Sequence, residues 1–432
     1  MVLDYIAAAL ALLLKAFTFW FFLTALLFWK RPAPYEHRAP ETRFACLIPA
    51  RSEEAVIAAL VRSLRGQNYP DALYDIYVIP NNCTDDTEGT ARAAGAKIFR
   101  CFDPVRCKGD ALHEAVAWLL PRGYDAFCLF DADNIAHPDF LARMNDAMLA
   151  GAKVAKGAMR VKNPRDSWVT GCYALYFVLN DTFFSRSRAN LGLSAKLVGT
   201  GMAVHREVLE RMGGWNTTTI AEDAEFSAQC ASLGERVWWV PEALTYDEAP
   251  ITFGVSLTQR RRWCSGIMST AEIMLPRLLQ INPGANRARI ADICFFLCAP
   301  FVQALSALPP LLFALTAALQ GLLAAWALLT ALSLIGAYCG MALFALTLRA
   351  IAGQRVRVSS VLLFSIFMAS FLPLQIVSLL HRTTSWQPIR HKRGIDAQAL
   401  EHAARGLVRT DKIIHSFLLK PPKISVKQRF FL

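Results

Sequence analysis

Two pairs of carboxylates and a run of cations are the residues through which this sequence could do chemistry. Asp131 and Asp133 stand two apart in "DADN", where an apolar run stops. Two carboxylates plus waters suit an octahedral Mg²⁺ or Mn²⁺ that also grips phosphate oxygens; an Asx-rich turn ending a strand would use the same residues. Glu222 and Asp223 open a helical pattern in "IAEDAEFSAQ". Capping and dipole complementarity explain acidic residues there, and so does a general base placed to take a proton from an attacking hydroxyl. Lys108 in "KGDAL" also opens a helix, which makes either a pyrophosphate site or a solvated lysine. The stretch "QRRRW", Gln259 to Trp263, sets three arginines in a row. Neighbours on a helix turn by about 100°, so the three cannot all face one target.

These residues need a frame, and the segment 42–270 supplies one. Apolar runs "RFACLIP", "YDIYVIP", "AKIFRC" and "YDAFCLF" alternate with helical patterns such as "EEAVIAALVRSL" and "KGDALHEAVAWLL". That alternation predicts βαβ units and a Rossmann-like α/β domain with a mainly parallel sheet. Ligands in such sheets gather at the carboxyl ends of strands. "PARSEE", "PNNCTDD" and "DADN" all fall there.

The rest of the chain reads as membrane. The mean hydropathy is +0.32, and Tyr5 to Trp29 carries Lys15 as its one charge, enough to cross a hydrocarbon core of roughly 30 Å. Residues 1–30 are therefore expected to be an uncleaved transmembrane anchor, and Lys30 and Arg31 place the segment after it in the cytosol. Residues 271–290 are expected to form an interfacial amphipathic segment. Residues 291–381 are expected to hold two spans, broken near Pro309 and Gln320, followed by a third run from Ser359 that either crosses or re-enters, because basic residues flank it on both sides. Residues 382–432 form a basic tail. The net charge of +12 is assigned to an anionic inner leaflet and not to nucleic acid, since no basic run is interleaved with aromatics. Eleven scattered cysteines with no CxxC pair predict neither a disulfide framework nor a zinc site.

In their order, PAxxEE, "NCTDDT", KGxAL, DAD, "GTGM", an ED pair and QRRRW, followed by membrane spans, resemble the membrane-embedded glycosyltransferase family 2, which includes cellulose, chitin, hyaluronan and poly-N-acetylglucosamine synthases. The resemblance implies a GT-A fold that uses a nucleotide diphosphate sugar, usually a UDP-sugar, with inversion at the anomeric carbon. It implies that Asp131 and Asp133 hold Mg²⁺ or Mn²⁺, that Asp223 is the base, and that Glu222 is its neighbour. Pro49, Ala50, Arg51, Glu53, Asn81, Lys108, Asp131, Ala132, Gln259 and Arg262 would bind the nucleotide sugar. Gly199, Thr200, Gly201 and Trp263 would lie along the acceptor. Two positions depart from the family pattern. Asn81 stands where Asp is usual, and its amide could still meet a uracil edge. Arg51 replaces an aromatic; it either stacks on the base as a guanidinium plane or is a plain surface arginine.

The expected activity is extension of a β-linked polysaccharide, with transfer of one sugar to a lipid acceptor as the alternative. A translocation channel built from so few spans would call for a homo-oligomer or an accessory export protein. A transporter or scaffold is disfavoured, because no charge lies between Asp292 and Arg349, whereas transport paths need polar groups at depth.

Overall fold

The structure is a computed structural model that describes residues 2–280 and 286–383. The tail pattern "IDAQALEHAARGLV" and most of the basic tail lie outside the described residues. An eight-stranded sheet runs in the order β3-β2-β1-β4-β7-β6-β8-β5. Its strands are β1 Phe44–Ala50, β2 Tyr74–Pro80, β3 Lys97–Ile98, β4 Ala126–Leu129, β5 Ile135–Ala136, β6 Val154–Val161, β7 Met202–His205 and β8 Val237–Asp247. β3, β2, β1 and β4 pair in parallel, as do β6 and β8, while β7 runs antiparallel to β4 and β6, and β5 to β8. The four parallel strands β1 to β4 match the apolar runs read from the sequence. β1 is buried along nearly its whole length, as expected of a strand covered on both faces.

Helix α1 spans Val2–Ala25 and precedes the sheet. α2 (Glu54–Arg65), α3 (Thr87–Ala93), α4 (Lys108–Leu119) and α5 (Phe140–Leu149) connect the first strands. α2 shows why it is a helix: Val56, Ile57, Leu60, Val61 and Leu64 are buried on one stripe, the 3.6-residue period of an amphipathic helix. α6 (Trp168–Leu179) continues through a π-helical stretch, Asn180–Arg186, into the short α7 (Ser187–Asn190). α8 (Arg206–Met212) follows β7, and α9 (Glu222–Ser232) precedes β8.

The remaining helices are α10 (Phe253–Leu279), α11 (Arg287–Leu305), α12 (Leu308–Leu319), α13 (Leu323–Ala352), α14 (Val358–Leu362), α15 (Phe364–Ala369) and α16 (Phe371–Leu380). α10 runs unbroken through residue 270, where a separate interfacial segment was expected to begin. Three stretches, Val2–Ala25, Arg287–Leu319 and Leu323–Ala352, are long and apolar enough to cross a membrane. The run from Ser359 is divided into three short helices, with α16 packed on α10 and α11.

One buried ion pair joins the sheet domain to these helices. Arg188 of α7 donates to both carboxylate oxygens of Asp292 in α11, at 2.8 and 3.0 Å, and the Trp20 indole of α1 donates to Asp292 Oδ1 at 3.0 Å. All eleven thiols are unbridged, and Cys46, Cys128, Cys172, Cys230 and Cys264 are buried, which is the ordinary state of thiols in a reducing compartment.

Candidate active site

The carboxyl ends of β1, β2 and β4 open on one cavity of about 640 Å³, whose wall includes Pro49, Ala50, Glu53 and Ala132. Arg51 and Asn81 meet at its rim. Arg51 Nε donates to Asn81 Oδ1 at 3.0 Å and Nη2 to the Val105 carbonyl at 3.2 Å. The Asn81 amide nitrogen donates in turn to the carbonyls of Ala50 (3.1 Å) and Ile79 (3.3 Å). Both ends of this amide are thus engaged by the chain itself, and Asn81 acts first as a strut for Arg51.

Lys108 is the hub of the deeper part. The α4 N-terminus is set by a reciprocal cap between Cys107 and Asp110. Gly109 lets the loop between α8 and α9 approach, since a Cβ there would lie 2.6 Å from Thr217 Oγ1. So placed, the Lys108 ammonium donates to Asp131 Oδ1 and the Gly199 carbonyl, each at 2.6 Å, and pairs with Glu222 Oε1 at 3.2 Å. Burial alone would depress its pKa, but the Asp131 and Glu222 carboxylates hold it well above the ordinary lysine value. Thr200 accepts from the Asp131 N–H at 3.1 Å, which ties "GTGM" to the DAD turn. Gly201 is outside the cavity wall: it has a positive φ of 57° and bonds to Leu129 and Gly157 inside the sheet.

Glu222 and Asp223 begin α9, and α10 crosses close to them because Gly266 has no side chain; a Cβ there would lie 2.6 Å from that of Ala221. Asp223 faces the cavity. Its carboxyl is pushed up to about 7, first by burial and then by the Glu222 charge. A carboxylate near neutrality is suited to proton abstraction.

Helix α10 brings Gln259, Arg262 and Trp263 to the same cavity, as i, i+3 and i+4 positions on one face. Tyr173 donates to Gln259 Oε1 at 2.8 Å and orients that amide. Arg262 has no hydrogen-bond or ion-pair partner among the described residues, yet feels the Glu222, Asp131 and Asp223 charges; burial lowers its pKa without neutralising so strong a base. Trp263 lies parallel to Tyr176, with ring centres 6.3 Å apart, and Tyr176 lies on Phe371 at 5.8 Å. Arg260, the first of the three arginines, does not line the cavity. It is fully buried and donates to the Phe367 carbonyl (2.7 Å) and Ser370 Oγ (2.8 Å) while lying over the Phe367 ring. It fastens α10 to α15 and α16.

Several wall residues escaped the sequence reading. Lys196 lies near enough to Asp223 to favour its anion, and its signal was a single charge in the apolar run "LGLSAKLVG". Beyond Trp263 the same cavity continues as an apolar wing of Phe21 from α1, Phe184 from the π-helical stretch, Phe296 from α11, and Phe371 from α16. Those residues are scattered along the chain and carry no motif.

Asp131 and Asp133 fit a divalent cation in part. Asp131 opens to the cavity beside Lys108, whereas Asp133 is buried and accepts from the Glu248 N–H at 3.1 Å. Among the described residues no group of three or more His, Cys, Asp or Glu gathers around a metal position. Two carboxylates suffice for Mg²⁺ when substrate phosphates and waters complete its shell.

A family model described as "Glycosyl transferase family group 2" matches residues 126–380. The probable glycosyltransferase YdaM of Bacillus subtilis is 27% identical over 266 residues, covering 59% of this chain and 61% of that protein. A beta-monoglucosyldiacylglycerol synthase of Nostoc sp. is 27% identical over 288 residues, covering 62% and 58%. The chain thus spans about three-fifths of the length of these curated relatives. In fold, the chain resembles the mannosyltransferase PcManGT from Pyrobaculum calidifontis in complex with GDP-Man and Mn²⁺, with a TM-score of 0.57 over 84% of this chain and 98% of that one at 19% identity. The architecture is a GT-A-type α/β domain with added apolar helices.

Proposed function

The chain belongs to glycosyl transferase family group 2, and from that premise we propose that it is a multi-pass membrane enzyme that moves a sugar, with inversion, from a nucleotide diphosphate sugar to the hydroxyl of a lipid acceptor. UDP-sugars are the proposed donors, and the cytosolic side of the cell membrane is the proposed location of the catalytic domain. The observation that carries this reading is the single cavity in which Asp223 and the cations share a wall with the apolar wing. The name of the Nostoc relative, a diacylglycerol glycosylating synthase, points the same way.

In this reading Asp223 takes the proton of the acceptor hydroxyl. The oxygen attacks the anomeric carbon, and the bond to the diphosphate breaks on the opposite face, the leaving group keeping the electron pair. Arg262, which has no hydrogen-bond or ion-pair partner among the described residues, offers its planar fork to the departing phosphates, and Lys108 adds positive charge from the α4 end. Mg²⁺ or Mn²⁺ held by Asp131 and Asp133 would supply further charge to the same leaving group. Arg51, braced by Asn81, sits where the nucleoside would enter. Trp263, backed by Tyr176, gives the transferred or accepting sugar an apolar face.

Polysaccharide extension is the second reading, favoured by the QRRRW signature and by the aromatic stack under Trp263. Incubating the purified full chain in lipid nanodiscs with a panel of nucleotide sugars and sizing the product separates the two. A lipid bearing a single sugar is the expected product; a long polymer would transfer the assignment to the second reading.

A further inference from the structure

The apolar wing contains one polar feature that the reaction above does not use. Gln375, in α16, is 4% exposed and lines the cavity. Its amide nitrogen donates to Gln303 Oε1 of α11, and its own Oε1 has no hydrogen-bond partner among the described residues. Both residues interrupt apolar sequence, "APFVQAL" and "LPLQIVSL". Leaving a buried carbonyl oxygen unbonded carries its full desolvation cost, and polar side chains among apolar helices are rare and commonly functional.

The same cavity wall includes Phe296 and Pro300, within two turns of Gln303 on α11, and Phe371 and Leu372, one turn from Gln375 on α16. A hydrocarbon chain would satisfy those neighbours but not Gln375. A sugar polymer would satisfy Gln375 but leave the phenylalanines against water. The ligand that answers both has a hydrocarbon chain joined to its hydroxyl end by a polar linkage: an ester carbonyl to accept the spare amide N–H of Gln303, and a hydroxyl to donate to Gln375 Oε1.

We propose that Gln375 and Gln303 form an acceptor subsite that reads the polar linkage of a partially acylated polyol and so sets how far its reacting hydroxyl reaches toward Asp223. This rests on the lipid-acceptor reading above and adds a specificity pair to it. The apolar chain lies along the wing, and the linkage stops at the glutamines. Binding register then depends on the linkage and not on chain length.

The test compares monooctanoylglycerol with 1-octanol as acceptors for the full chain in nanodiscs, each with a fixed nucleotide sugar. The wild-type protein should prefer monooctanoylglycerol in kcat/KM by tenfold or more, the equivalent of one such hydrogen bond. Gln375→Leu, and separately Gln303→Leu, should erase most of that preference through the acceptor KM, while the donor KM holds. A preference that survives both substitutions overturns the subsite and leaves lipid glycosylation standing. A wild-type protein that glycosylates neither acceptor but builds polymer overturns the lipid reading, and the subsite with it. Loss of donor KM and acceptor preference together would show the pair to be structural packing, which also overturns it.

Discussion

The part of the cavity proposed to hold the donor, its donor half, and the part proposed to hold the acceptor, its acceptor half, are built on opposite plans. In the donor half, the cations are already engaged: Lys108 by the Asp131 and Glu222 carboxylates, and Arg51 by the neutral Asn81 amide. Asn81 and Asp131 follow the parallel strands β2 and β4, so the sheet fixes their positions, while Glu222 arrives at the start of α9. In the acceptor half the wall is largely aromatic and aliphatic, drawn from α1, α11 and α16, and Gln375 Oε1 there has no hydrogen-bond partner among the described residues. Arg262 and Asp223 stand at the boundary. The difference implies that the donor half stabilises charge by preorganisation, whereas the acceptor half selects by shape and burial.

Substitutions at the boundary should break this division most severely. Asp223→Asn is expected to lower kcat by about 10³-fold, within the span assigned to a positioned base, while nucleotide binding measured by calorimetry persists; near-normal turnover would remove Asp223 from that role. Arg262→Ala should lower kcat by about 10²-fold, the scale of one lost charge-stabilising donor, with a smaller change in the acceptor KM. Next comes pH. Asp223 must be ionised to act, and its carboxyl is raised to about 7 by burial and by Glu222, so kcat/KM should fall tenfold per unit below that value. Glu222→Gln removes the neighbouring charge and should move this acidic limb to lower pH; an unmoved limb would assign the titration elsewhere. The smallest effect belongs to the rim: Arg51→Ala should raise the donor KM about threefold and leave the acceptor KM alone, because it touches only the donor half.

The two halves also differed in how far the sequence revealed them. Asp131, Lys108, Glu222 and Asp223 were legible because strand ends and helix starts are punctuated by residue type, and the sheet then brings such ends together. Gln259, Arg262 and Trp263 were named through the family resemblance of QRRRW, and α10 sets them on one face. Gly201 looked like its neighbours Gly199 and Thr200 in sequence, yet the start of β7 draws it into the sheet. Asn81 was read for its hydrogen-bonding capacity, and the structure shows that capacity already used by Arg51, Ala50 and Ile79. The acceptor wing stayed hidden for a physical reason. A phenylalanine on an apolar helix has the same character whether it faces lipid, a partner helix or a ligand, and only packing tells these apart. Arg260 illustrates the same limit for charge: nothing in "RRR" distinguishes the cation that faces the cavity from the one buried under α15 and α16.

The ion pair between Arg188 and Asp292, with Trp20 completing it, changes what the first helix is for. Helix α1 supplies a donor to a carboxylate with almost no access to solvent, and its Phe21 forms part of the acceptor wall. Deleting residues 1–30 would strip Asp292 of one hydrogen-bond donor and open the wing on that side. Such a truncation should keep its nucleotide affinity and lose its acceptor. A segment long and apolar enough to cross a bilayer thus also forms part of the cavity wall, and in the proposed reaction a chain trimmed of it would be half an enzyme.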